Sequence, residues 1–248
     1  MKRITHLARR FLACRAHGGA PLAVVERLAK SVPPLARPTK AANAALARYT
    51  DWRARSFDRE HGTDTFHRVS MSKLGLVDKH GDRFDNWAYG PICGDFFHEM
   101  MRHVPGRSEL TLYDVGSGKG LPLMLAREHG FRRVVGIELS EELCQTARTN
   151  FESYSKKTGR PVEAEVICGD FLEHRLPSEP TAFFLNNPFP HYIAKRAIEH
   201  IERSVEEDPR RVVIAYRRMP RPTLEQLEAS KTFTLHLTTP YWQIFATR

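Results

Sequence analysis

What most constrains this chain is its second half, where short strand-type runs alternate with helical stretches from residue 110 to the end. "LTLYDVG" (110–116), "RVVGIEL" (133–139), "EAEVIC" (163–168), "TAFFLN" (181–186) and "RRVVIAYR" (210–217) are apolar runs of strand length. Helical spacing fills the intervals: a stretch near 120–129, then Leu143, Ala147 and Phe151, then Ala194, Ala197, Ile198, Ile201 and Val205. Runs that are apolar at nearly every position belong to strands covered on both faces. Strand–helix repetition therefore predicts an α/β fold, a doubly wound and mostly parallel sheet with helices on each side. After a short helix near 223–230, "FTLHLTT" and "YWQIFAT" stand too close for a parallel crossover and must pair antiparallel. That makes seven strands.

The first half reads differently. Residues 1–56 predict a basic helical extension, with Pro21 in the first turn of one helix, "VPPLARP" (32–38) as a stiff connector and a further helix over 41–56. Residues 57–105 predict a covering segment of loops and short strands, with turns at Gly62, Gly75 and Gly81. It ends in "YGPICGDFFHEMMRHV" (89–104), a turn opening into a helix whose Phe96, Phe97, Met100, Met101 and Val104 share one face. Residues 106–248 form the α/β domain.

Charge is distributed unevenly. Residues 1–50 carry ten Lys/Arg and one acid, Glu26, while the remaining 28 basic and 28 acidic residues cancel. A uniformly basic nucleic-acid-binding domain is therefore disfavoured, and the extension alone is suited to an acidic partner. Its Arg-rich, acid-poor composition is also that of an organelle transit peptide, whereas arginines interrupt "ITHLARRFLACRA" and disfavour a secretory signal. Cys14, Cys93, Cys144 and Cys168 form no CxxC pair, so neither a zinc site nor a disulfide framework is supported and a cytoplasmic setting is expected. No apolar run reaches the roughly 18–20 residues of a membrane helix.

"YDVGSGKG" (113–120) sits where a doubly wound sheet binds its ligand, at the carboxyl end of the first strand. A nucleotide P-loop fails, because Lys119 is followed by Gly120. A dinucleotide fingerprint survives only in distorted form, because the third glycine arrives one residue early and position 121 is leucine. With Asp114 two residues ahead of Gly116, the loop resembles the first motif of class I S-adenosylmethionine-dependent methyltransferases. The resemblance extends along 110–247 and implies a Rossmann-like methyltransferase domain with S-adenosyl-L-methionine as cofactor. It assigns cofactor contacts to Asp114, Gly116, Ser117, Gly118, Gly120 and Asn186. It places Glu138 on the ribose hydroxyls with Leu139 beside it, and Asp170 on the adenine amino group with Phe171 next to the base. Asp170 is also placed to cap a short helix over 171–175. The antiparallel terminal pair matches the reversed last strand that separates this family from dinucleotide folds. Methyl transfer from a sulfonium needs no metal, and the scattered histidines show no ligand spacing.

The acceptor is expected at the end of the fourth strand. "NNPF" (186–189) resembles the [DN]PP[FYW] motif of methyltransferases acting on amino groups of adenine or glutamine, with Asn187 in place of the first proline. There Asn186 would orient the nitrogen and Phe189 would wall the pocket. Tyr89-Gly90, the GSGKG loop, Glu138, "GDFL" (169–172) and Asn186-Asn187 are together similar to the non-SET histone lysine methyltransferases of class I fold, in which the Tyr-Gly segment folds over the methionine end of the cofactor. Pro91 stands where that family has an acidic residue, and Pro188 interrupts its Asn-Asn-aromatic run. Together these readings favour a nitrogen acceptor, a protein side chain such as lysine ahead of nucleic-acid adenine or a small molecule, with Asn186, Phe189 and Tyr89 as catalytic candidates. His191 could receive a proton, although a helix start explains it as well. Tyr216 and Trp242 belong to core or rim. The reading from another class is a catalytically silent methyltransferase fold that acts as a binding protein.

Overall fold

The computed structural model describes residues 40–70, 88–239 and 241–248. Its contacts divide the chain into Met1–Asn43 and Ala44–Arg248, and the second unit holds everything discussed below. The helix expected near Pro21, the 32–38 connector and the turns at Gly75 and Gly81 lie outside the described residues, as does nearly all of the basic extension with its expected acidic partner.

The elements run α1 (Lys40–His61), β1 (Val69–Ser70), β2 (Ala88–Tyr89), α2 (Gly94–Arg102), β3 (Thr111–Val115), α3 (Leu121–Ala126), β4 (Arg133–Glu138), α4 (Glu141–Thr158), β5 (Glu165–Cys168), β6 (Thr181–Leu185), α5 (His191–Glu207), β7 (Val212–Arg217), α6 (Arg221–Glu228), β8 (Phe233–Thr238) and β9 (Trp242–Thr247). Seven strands form one sheet in the order β5-β4-β3-β6-β7-β9-β8, and β1 pairs with β2 apart from it. Strands β3 to β7 run parallel, and β9 is antiparallel to both β7 and β8. The doubly wound sheet and its reversed terminal strand are as the alternation demanded.

Burial follows position in the sheet. Strands β3, β6 and β7 are buried at every residue, so their apolar runs need not alternate. Tyr113, Val115, Ile137, Phe183 and Leu185 pack with Ile198 and Ile201 of α5 in one core cluster, each such side chain contributing roughly 1.5–3 kcal/mol by leaving water. The β8 edge is exposed from Thr234 to His236, and its register shifts between Leu235 and Leu237. That bulge twists the edge away from regular pairing with another chain.

Helix α2 buries Phe96, Phe97, Met100 and Met101. Its first turn also buries Asp95, whose Oδ2 accepts from Arg53 Nε at 2.9 Å and whose Oδ1 accepts from Arg53 Nη2 at 2.8 Å. The Tyr49 hydroxyl donates to the same carboxylate at 2.5 Å, which ties α1 to α2. Burial alone would raise the Asp95 pKa; Arg53 and Tyr49 outweigh it and hold the group below the ordinary carboxylate value.

Three boundaries differ from expectation. Helix α1 runs on to His61, so the expected boundary at residue 56 falls inside a helix. Helix α3 stops at Ala126 and tightens into a 3-10 turn over Arg127–His129, ended by Gly130 at φ 69°. The helix expected over 171–175 is a single turn, opened by the expected Asp170 cap, whose Oδ1 accepts from Leu172 N at 2.9 Å.

Candidate active site

The chain leaves β3 for β4 and β5 on one side of the sheet, then crosses to β6 on the other. Ligands of open α/β sheets bind outside the carboxyl ends of strands at such a reversal. Val115 and Leu185 are register partners there, so the glycine loop after β3 and the Asn-Asn-Pro-Phe stretch after β6 emerge side by side.

Backbone bonds anchor the glycine loop to β4: Gly116 N and Ser117 N donate to Ile137 O at 2.8 and 3.1 Å. Gly116 has φ 72°, and a Cβ on it would fall 2.6 Å from Pro188 Cβ. Gly118 has φ 54°, and a Cβ there would fall 2.2 Å from Tyr89 Cε2. The left-handed backbone and the close neighbours both require glycine. Gly120 closes the loop, donating to Ser117 O at 3.0 Å and preceding α3.

Two carboxylates lie under this loop. Glu138, at the end of β4, accepts from Gly118 N at 2.8 Å and from Ser140 N at 2.9 Å. Burial raises its pKa against the pull of those N–H donors. Asp114 is buried, its Oδ2 has no partner, and burial followed by the Glu138 charge pushes its pKa well above the ordinary carboxylate value. Ser117 Oγ is likewise buried without a partner. Leu139 stands exposed beside Glu138, and Asp170 is half-buried after β5. Phe171 turns into the core, where it meets Phe183, Phe189 and His200.

Tyr89 lies across the loop. Its hydroxyl donates to Thr65 O at 2.8 Å and Lys119 Nζ lies 5.6 Å from its ring centroid. Burial, then the charges of Asp58, Asp64, Asp114 and Glu138, raise its pKa well above the phenol value, so the hydroxyl stays protonated.

On the acceptor side, Asn186 Oδ1 accepts from Arg217 Nη1 at 3.1 Å. Phe189 is partly buried against Phe171, with ring centroids 6.2 Å apart. Asn187 has φ 52°, a conformation closed to proline, whose ring holds φ near −65°. At its second position this loop therefore takes a backbone path unlike that of a [DN]PP[FYW] motif. His191 is exposed at the start of α5, and Tyr216 and Trp242 are core.

Sequence reasoning missed three residues. Lys119, inside the glycine loop, is buried and reaches Asp64 Oδ2 at 2.8 Å. Asn150 accepts from Asp64 N at 2.8 Å and donates to Lys119 O at 3.0 Å, which pins the segment after α1 to the loop. A polar residue close to the apolar stripe of α4 was its signal. Arg217 signalled itself only as a charge ending the apolar run of β7.

A family model described as a methyltransferase domain matches residues 112–208. Residues 112–208 thus resemble a methyltransferase domain. That span holds the glycine loop, Glu138, Asp170 and the Asn186–Phe189 stretch, and leaves Tyr89 and Arg217 outside. Among curated proteins, the chain is similar to the 24-methylenesterol C-methyltransferase 2 of Arabidopsis thaliana, 33% identical over 34% of this chain and 21% of that protein. The protein of the same name from Oryza sativa subsp. japonica is 34% identical over 30% of this chain and 18% of its own. The chain thus spans about a fifth of the length of these relatives. Among solved structures, it is similar to the mitomycin 7-O-methyltransferase at 17% identity and a TM-score of 0.49, over 85% of this chain and 73% of that one. An RNA methyltransferase from Salinibacter ruber, solved with S-adenosyl-L-homocysteine, gives 22% identity and a TM-score of 0.42 over 63% and 92%.

The residues around the glycine loop fit S-adenosyl-L-methionine. The orphaned Asp114 Oδ2 and Ser117 Oγ supply unmet polar groups of the right kind, and the three glycines let a ligand come close to the backbone. Among the described residues no cluster of His, Cys, Asp or Glu suits a metal ion, and no helix is long and apolar enough to cross a membrane.

Proposed function

We propose that the protein is an S-adenosylmethionine-dependent methyltransferase acting on a nitrogen, with a protein side chain such as lysine as the first acceptor to test. The observation that carries this reading is the contact between Gly116 and Pro188, which sets a cofactor-type loop against the stretch expected to hold an acceptor. When bound, the cofactor supplies an electrophilic methyl group on a sulfonium that leaves as a neutral thioether. In this reading Glu138 holds the ribose hydroxyls, Leu139 and Asp170 flank the adenine, and Asp114 faces the cationic end. Tyr89 and the Lys119–Asp64 pair close the loop and keep water out. Asn186 Oδ1 keeps one lone pair beyond the bond from Arg217, and this can orient an N–H of the acceptor. The Phe189 ring offers an apolar, electron-rich wall on which a developing cation is stabilised.

The test has two parts. Calorimetric titration with S-adenosylhomocysteine should show saturable binding that Glu138→Ala weakens by about tenfold or more, the worth of a lost charge-assisted hydrogen bond. Folded protein that binds nothing removes the enzyme reading and leaves a silent fold. Methyl-labelled cofactor incubated with cell extract should then label protein in an alkali-stable form. Alkali-labile label marks an ester and overturns the nitrogen acceptor; label confined to RNA, DNA or small molecules overturns the protein.

A further inference from the structure

At the acceptor end of the site one charge has no counterpart among the described residues. Arg217 ends β7 beside Asn186 and is only 7% exposed. Its Nη1 is spent on Asn186 Oδ1, its Cζ lies 5.0 Å from the Phe96 ring centroid, and its buried Nε has no hydrogen-bond partner. The titratable groups that bear on it are Arg218, Cys93 and Tyr241, with no carboxylate among them. Burial first, then Arg218, lowers its pKa to about 10; it stays charged at neutral pH. A desolvated, unpaired guanidinium is costly to keep, and a chain that keeps one at the mouth of a site has a use for it.

The molecule shows elsewhere what this group does with a carboxylate. Arg53 presents Nε and Nη2 to the two oxygens of Asp95 at 2.9 and 2.8 Å, the side-on fork that matches a planar carboxylate. On Arg217 the same Nε–Nη2 edge is the one left over, because Nη1 holds Asn186. Arginine has donors only, so this bond also fixes the amide: Oδ1 faces Arg217 and the Nδ2 donors face away from it. A second cation, the exposed Arg218, follows directly.

We infer that Arg217 anchors a carboxylate on the methyl acceptor, so that the substrate is an amine carrying a carboxylate close to the nitrogen that is methylated. The inference rests on the methyltransferase reading and moves its nitrogen acceptor from a plain lysine side chain to an amine with a carboxylate beside it. Seating the anion pairs the Nε donor and places a charge pair where water does not screen it.

The probe is sodium acetate, titrated at constant ionic strength into 15N-labelled protein saturated with S-adenosylhomocysteine. The readout is the Arg217 Nε–H resonance, identified by its loss in Arg217→Met. A saturable shift with acetate and none with chloride is expected. A shift with inorganic phosphate and none with acetate overturns the carboxylate. Arg217→Met should bind S-adenosylhomocysteine within about twofold of wild type and melt no lower than wild type, because it removes an unpaired buried charge. A fall of about 5 °C or more marks a cation that only holds the fold and overturns the inference. Arg217→Lys keeps the charge without the fork, so its acetate affinity, read in both proteins from the Asn186 side-chain amide resonances, should drop about tenfold or more; wild-type affinity in that variant overturns the inference too. Wild-type protein that fails to bind S-adenosylhomocysteine sinks the underlying reading, whereas binding with no acetate response sinks this inference alone.

Discussion

An alanine at position 118 tests how this chain closes over its glycine loop. Gly118 sits at φ 54°, and its added Cβ would meet Tyr89 Cε2 at 2.2 Å and Cδ2 at 2.5 Å. Two penalties follow. The left-handed backbone costs an L-residue about 1–2 kcal/mol. The overlap with a ring that Thr65 and Lys119 hold in place adds about 1–3 kcal/mol of overpacking. Gly118→Ala should therefore lose about 2–5 kcal/mol of stability. Tyr89→Ala removes the ring and its bond to Thr65 O, at a cost of about 2–4 kcal/mol, the lower part of the range for truncating a large buried side chain. In that background alanine 118 meets no ring, and only the backbone penalty of about 1–2 kcal/mol remains. The double mutant should thus be about 1–3 kcal/mol more stable than additivity allows. Urea unfolding of the four proteins measures this, provided the m-value stays constant. Additivity within about 0.5 kcal/mol would refute the packing of Tyr89 on the loop.

Two predictions concern protons. Asp114 and Glu138 have pKa values raised by burial, so the folded chain binds protons that the unfolded chain has lost, and these groups lower stability as pH rises from the unfolded carboxylate value through the folded one. A cationic cofactor favours their ionised forms; calorimetry between about pH 5 and 8 in buffers of different ionisation enthalpy should show proton release on S-adenosylmethionine binding, and buffer-independent heats would refute it. His129 behaves in the opposite sense, because burial, then His98 and the nearby arginines, push its pKa down to about 4. Its contribution is present above the unfolded value near 6.5 and is lost as pH falls toward the folded one. Half exposure discounts it to on the order of 1–2 kcal/mol, and His129→Phe should flatten the stability–pH curve by that amount between those limits.

The doubly wound sheet was legible because strand runs in a parallel sheet declare themselves by continuous apolarity, and β3, β6 and β7 are buried at every position. Ser140 caps α4 by a local bond of the kind a sequence can declare, its Oγ accepting from Leu143 N at 3.3 Å. What the sequence could not show were meetings between distant residues. Nothing local tells that Pro188 abuts Gly116, that Asn150 braces Asp64, or that Arg217 rather than a neighbour in sequence fixes the Asn186 amide. Asn187 marked a departure from a known motif, but only φ 52° shows that proline is excluded there by backbone geometry.

The contact of Gly116 with Pro188 has a thermodynamic corollary. On the proposed reading two ligands, one held by the loop and one by the stretch after β6, share that wall, so a shift of one side is felt by the other. Linkage requires the effect to be mutual: whatever factor the methyl donor contributes to the affinity of the acceptor, the acceptor returns to the donor. An acceptor assayed without donor would then be measured on a differently shaped site, and a screen for substrates belongs on the complex with S-adenosylhomocysteine.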